Sequence, residues 1–479
     1  MAEKRIALGE WMPDQPGLSG ALTEAKNVVP TAIGYSPFSS EVALSANASQ
    51  NLITTFTGKF TGTTVLFGAG TTKLYKFDST DTSLDDVSKL VAGSPTNYTT
   101  TALWKFTQFG KVVIAANGQD KLQAWTTGSS ANFTDLAAAA PSASFVTVVR
   151  DFVVAARDAT YPNRVYWSDI NDETNWTSGP TSQSDFQDMA DGGDIQGITG
   201  GEFGLILSER SIARMSYIGS PFFFQFDTIS RTLGCYEPRS IVQYGSTTYF
   251  LSDDGFYACD GQNIVPIGTE KVDRFFFADA NPSLFNQMSA AVDPINSLVI
   301  WSYANTFGAK SLIVYNWQLK RWSRATTTAS YIATAASAGI TLEGLDAYGT
   351  IDSLTSSLDS RLWSGGKILL AGVDGAKIVT YTGAPMEAEI RTGDFEAGPQ
   401  SIVKLARPQV DNGSAGVAVF SRMRLDTEVL FDGVISATSE NRVSLRSVGR
   451  YHRLKIVPTG EQWRHLVAVD VDVTPVGAR

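Results

Sequence analysis

Side chains suited to acid–base, nucleophilic or metal chemistry are scarce in this 479-residue chain, which holds two histidines, His452 and His465, and two cysteines, Cys235 and Cys259. With so few nitrogen and sulfur ligands, a structural zinc site is not expected. A Ser-His-Asp triad would have to use one of the two histidines, and the G-x-S-x-G turn that exposes a nucleophilic serine is absent. His452 lies in RYHRLKIVP, where packing on a strand surface explains it better than catalysis. The cysteines read as free thiols of a protein made in a reducing cytosol, and their pairing stays open.

Two acidic groups, Asp78, Asp81, Asp85 and Asp86, then Asp185, Asp188, Asp191 and Asp194, could offer oxygen ligands to calcium. Neither follows EF-hand spacing, and solvated loops account for them as well. GAGTTK (Gly68 to Lys73) has the wrong glycine–lysine spacing for a phosphate loop and reads as a hairpin turn. WSDINDETNW places Asp169, Asp172 and Glu173 between Trp167 and Trp176, as a glycan platform would. The repeated S-x-D-x-G-x-x-W boxes of sialidase-like propellers are missing, so the tryptophans read as locks on a hairpin. No catalytic residue, metal ligand or cofactor is therefore assigned, and the chain is expected not to be an enzyme.

The remaining cluster is basic. RSVGRYHRLKIVP concentrates Arg446, Arg450, Arg453 and Lys455. In a strand of period two, Arg453 and Lys455 share one face while Leu454 and Ile456 point to the core. Arg450, Arg453 and Lys455 form a candidate docking face for an acidic neighbouring subunit. An ordinary solvated strand face is the plain alternative.

Residues 386–479 carry 12 basic and 12 acidic side chains, so the whole net charge of −10 belongs to residues 1–385. Such a balance argues against tight or sequence-reading nucleic-acid binding, which needs clustered cations. It predicts instead that an acidic propeller lining a DNA channel would repel phosphate and let DNA slide without sticking. No apolar stretch follows the early Lys and Arg, so no signal peptide is expected, and no run is long and apolar enough to predict a membrane helix.

What would position these residues is a repeat. A short apolar strand, a polar or glycine turn and a second strand rich in Leu, Val, Tyr or Trp recur from Val65, Val112, Phe152, Leu205, Tyr249, Leu298 and Ile368. Each predicts a hairpin. Their turn residues, Gly70, Asn117, Asp158, Glu209, Asp254, Asn305 and Asp374, are spaced by 47, 41, 51, 45, 51 and 69 residues. Propeller blades repeat at about 40–50 residues, and radial closure protects the strand edges that a flat sheet would expose. The prediction is an all-β chain with an extended arm over 1–50 and a β-propeller over 51–385. The propeller should have about seven blades, within a range of six to eight, and an insertion near 326–361. GTEKVDRFFFADANPSLFNQM predicts a short helix pair, capped by Thr269 and punctuated by Pro282. After Pro385 seven segments alternate apolar and polar residues, predicting an antiparallel β-sandwich of about seven short strands over 386–479.

Several stretches resemble the tail hub or nozzle proteins of short-tailed bacteriophages, also called packaged-DNA stabilisation proteins. They are GLSGALTEAKNVVPTAIGYSPF, GCYEPRSIVQYGSTTYF with the following SDDGFYACDGQNIVPIGTEKVDRFF, RVYWSDINDETNW and VGRYHRLKIVPTG. The resemblance implies a virion protein, made in the host cytoplasm, that forms a six-fold homo-oligomeric ring below the portal and adaptor. Such a ring retains packaged DNA, forms the ejection channel and carries fibres, spikes or a needle. Competing readings are another head-to-tail adaptor or tail component, or a carbohydrate-binding or glycosidase propeller.

Overall fold

The computed structural model describes residues 2–337, 339–340, 345–346, 350, 358, 363–431, 433–460 and 462–476. All seven predicted hairpins form. The first, for example, pairs Thr63–Gly70 with Leu74–Phe77, and the sixth pairs Leu298–Ala304 with Lys310–Asn316. The leading strand of several hairpins is buried at every position, as in Phe152–Ala156, Gly204–Ser208 and Leu298–Ala304. Neighbouring sheets cover both of its faces, which makes these runs continuously apolar rather than alternating and legible in sequence.

Each hairpin gains a strand on either side that sequence periodicity did not reveal. On one edge lie Leu52–Phe60, Lys105–Phe109, Phe145–Val149, Ile195–Thr199, Val242–Tyr244, Ser289–Asp293 and Tyr331–Ala336. These seven strands lie side by side in a closed circuit around one axis. Two glutamines brace neighbours in that circuit. Gln108 donates to Lys59 O at 2.7 Å and accepts from Lys59 N at 2.8 Å, and Gln243 treats Gly200 the same way at 2.6 and 3.2 Å. Each amide thereby supplies the donor and acceptor of a missing β-partner.

Six four-stranded sheets are free-standing blades, where about seven were expected. The four strands from Ser289 to Thr326 instead begin a 13-stranded sheet. The final blade takes its outermost strand from Val42–Ala43, which pairs with Thr380 and Val379, so the ring is fastened by chain from its own beginning. Its innermost strand, Tyr331–Ala336, falls inside the segment expected as an insertion. Small alanines suit the crowded axis there and gave no strand signal. Most of the rest of 338–362 lies outside the described residues.

After Pro385 the expected sandwich of seven short strands is replaced by five strands of the shared sheet. RVSLRSVG and RYHRLKIVP run together as Val443–Thr459, and EVLFDGVIS contributes only a bridge between Val417 and Ile435. Pairing continues through Gly449 because a side chain there would stand 2.8 Å from Arg422 N. The N-terminal arm is woven into this sheet. Ala2–Ala7 pairs with His465–Pro475, and Glu24–Lys26 pairs with Glu389–Arg391 and, in parallel, with Arg324. Gly34, at φ +84°, turns where a side chain would strike Leu466 O.

The predicted helix pair is Asp273–Asp279 followed by a 3₁₀ turn, Pro282–Gln287. Thr269 does not cap it. The helix N–H groups of Arg274 and Phe275 donate to Asp14 at 2.9 and 2.8 Å, so the cap is supplied by the arm, about 260 residues upstream.

Candidate functional site

The basic face of the C-terminal strand is already partnered within the chain. Arg453 and Arg422 converge on one oxygen of Asp394 at 2.8 and 2.6 Å, and the Asp394 side chain is 1% exposed. Lys455 pairs with Glu389 at 2.8 Å, and Arg450 pairs with Glu396 at 2.7 Å on the open surface. Glu389 is held below the usual carboxylate range because Lys455 and Arg391 outweigh its burial. The face is partnered but not neutral, since two arginines share Asp394 and Lys455 shares Glu389 with Arg391. Leu454 and Ile456 are buried, as the alternation predicts.

His452 is fully buried, not on a strand surface. Its Nε2 lies 2.7 Å from Ser401 Oγ and its Nδ1 2.6 Å from Ser421 Oγ. Burial, with Lys4 nearby, pushes its pKa down to about 4. A neutral imidazole clamped between two hydroxyls ties three strands together. His465 begins the last strand and is exposed.

The acidic clusters are spent on local structure. Asp78 and Asp81 cap turns at Thr80 and Ser83, Asp86 pairs with Lys73 at 2.7 Å, and Asp188 binds Arg164 through both oxygens at 2.6 and 2.9 Å. Around WSDINDETNW, Asp169 accepts from the backbone N–H of Gln183 and Ile170, and Asp172 caps Thr174. Trp167 is buried with its indole N–H on Gln183 O, and Trp176 donates to Glu173 O. These carboxylates organise a loop. Cys235 and Cys259 are free, buried thiols in one apolar cluster, and burial pushes Cys235 up to about 12.

A cavity lies among the innermost strands, at the propeller's own tunnel. Two adjoining compartments of about 180 and 170 Å³ share Lys105 and Phe106 and together reach all seven innermost strands. Phe56, Phe106 and Trp104 stack along one wall, with ring centroids 5.3 and 6.3 Å apart. Lys105 and Arg239 project into it, and Tyr331 lies between the Arg239 guanidinium at 4.9 Å and Lys310 Nζ at 5.4 Å. The one carboxylate near these cations that the structure places, Glu237, is turned to accept from Arg239 N. The charged residues that line the two compartments, Lys105 and Arg239, are cationic. Sequence reading missed the cluster because Lys105 and Lys310 lie in separate, individually unremarkable strands and Arg239 in a short 3₁₀ turn.

No family model matches the chain, and no curated protein does. Among solved structures, the extracellular domain of a hybrid two-component system from B. thetaiotaomicron aligns at 11% identity and a TM-score of 0.41, over 85% of this chain and 47% of that one. The chain thus spans about half of that neighbour's length. A chain of a mitotic checkpoint complex aligns at 10% identity, TM-score 0.39, over 71% and 92% of the two chains, and U3-55K at 9%, 0.39, over 71% and 98%.

Proposed function

We propose that this chain is a non-enzymatic structural subunit of the tail hub of a short-tailed phage. Copies form a six-fold ring under the portal and adaptor, hold packaged DNA and carry the more distal tail parts. One observation supports this reading above others: three of the four stretches that resemble such proteins meet in one seam. Leu22, Val28 and Tyr35 of the arm, Phe256 and Phe276 of the blade–helix block, and Leu454 and Ile456 of the C-terminal strand belong to a single buried core. That core joins the propeller to the C-terminal sheet, as a subunit that transmits force between a portal and a tail requires.

We also propose that the Ser289–Thr326 meander acts as a seventh blade, since its innermost strand completes the axial circuit while its outermost strand enters the shared sheet. The tunnel is too small for duplex DNA, whose major groove alone is about 12 Å wide. In this proposal DNA passes between subunits, along the ring axis, and the acidic excess of residues 1–385 faces that lumen or the solvent.

Quantitative mass spectrometry of purified virions tests the reading. The expected result is a copy number about one half that of the portal, as a six-fold ring on a twelve-fold portal requires. Absence from the virion would reject it.

A further inference from the structure

We infer that the mouth of the propeller tunnel is a binding site for a phosphate-bearing anion, held by Lys105, Arg239 and Lys310. The inference is independent of the tail-hub reading. Among the described residues, Lys105 Nζ has neither hydrogen bond nor ion pair, and the Arg239 guanidinium contacts only the face of Tyr331. Lys310 donates to Gln287 O at 2.9 Å, which offsets no charge. Glu237 can balance at most one of the three cations, and burial pushes its own pKa up, so at least two positive charges stand unbalanced beside Phe56, Phe106 and Tyr331. Unpaired charge in such surroundings is unfavourable. Burial, reinforced by Arg239, holds both lysines down to about 8, as expected of ammonium groups that lack a counter-ion.

A phosphate monoester carries about −1.5 to −2 charges at neutral pH and three strong acceptor oxygens, close to the excess. Carboxylates or halides would leave part of it standing. Arginine with lysines is the usual phosphate-recognising set. The phosphate could come from free inorganic phosphate or from a mononucleotide.

Titrations of the full-length chain near pH 7 with inorganic phosphate and with a nucleoside 5′-monophosphate test this, by calorimetry and thermal shift. The expected result is saturable binding tighter than about 1 mM, weakened about tenfold or more in Lys105→Met and in Arg239→Gln. Arg424→Gln, in an exposed ion pair, should bind as the parent does. Lys105→Met removes an unbalanced charge and should fold at least as stably as the parent without ligand, so lost binding would not be lost folding. Equal affinity for the two ligands identifies free phosphate as the source, and about tenfold tighter nucleotide binding identifies a mononucleotide. No saturable binding of either ligand, or binding that survives both substitutions, overturns the inference.

Discussion

Replacing Asp394 with Asn should be among the most damaging single polar substitutions in the molecule. The Asp394 side chain is 1% exposed, with Arg422 at 9% and Arg453 at 14%. Both arginines reach the same oxygen, and the Nε of each and the second carboxylate oxygen have no partner. Coulomb attraction therefore offsets the desolvation of the arginines, helped at Arg422 by hydrogen bonds to Leu425 O and Thr427 O at 2.6 Å each. Taking one partner from a buried pair leaves uncompensated charge and costs about 3–5 kcal/mol. At a urea dependence of about 2–3 kcal/mol/M, the unfolding midpoint followed by tryptophan fluorescence should fall by roughly 1–2.5 M. Arg453→Met should cost much less, because it leaves Asp394 and Arg422 as a matched pair. In the Arg453→Met background, Asp394→Asn should also cost less than in the parent, since one buried charge rather than two is left alone. If Asp394→Asn costs no more than Arg453→Met, the cluster is not held by its charge and the reasoning fails.

The glutamine braces give a second expectation. Gln108→Ala and Gln243→Ala each remove hydrogen bonds between adjacent innermost strands and should cost about 1–2 kcal/mol apiece, with additive effects because they sit at separate junctions. Amide exchange should accelerate at Lys59 in the first variant and at Gly200 in the second, and unchanged exchange would show that packing alone holds the junctions. His452 gives a pH dependence. Its pKa is depressed to about 4 in the fold against about 6.5 when unfolded, so the folded state resists protonation. Stability from this group is complete above about pH 6.5 and declines as pH falls toward 4, by on the order of 3 kcal/mol. His452→Gln should flatten that part of the stability profile, and an unchanged acid limb would assign the loss to other groups.

Local chemistry determined the hairpins. Apolar runs such as VVIAA and FVVAA, broken by turn residues at near-regular intervals, specify paired strands whatever surrounds them, and the spacing points to radial packing. Leu454 and Ile456 were likewise legible, because period two is a property of the strand alone. The innermost strand YIATAA was not, since alanines at a crowded axis lack the bulk that marks a strand. Nor could sequence foresee that Asp14 caps the Asp273–Asp279 helix or that Val42–Ala43 fastens the last blade. The buried Asp394 between Arg422 and Arg453, and the meeting of Arg239 and Lys310 over Tyr331 close to Lys105, were equally hidden. Those contacts exist only once the ring closes and the arm threads the C-terminal sheet. Closure makes neighbours of residues hundreds of positions apart, a relation that neither spacing nor composition encodes.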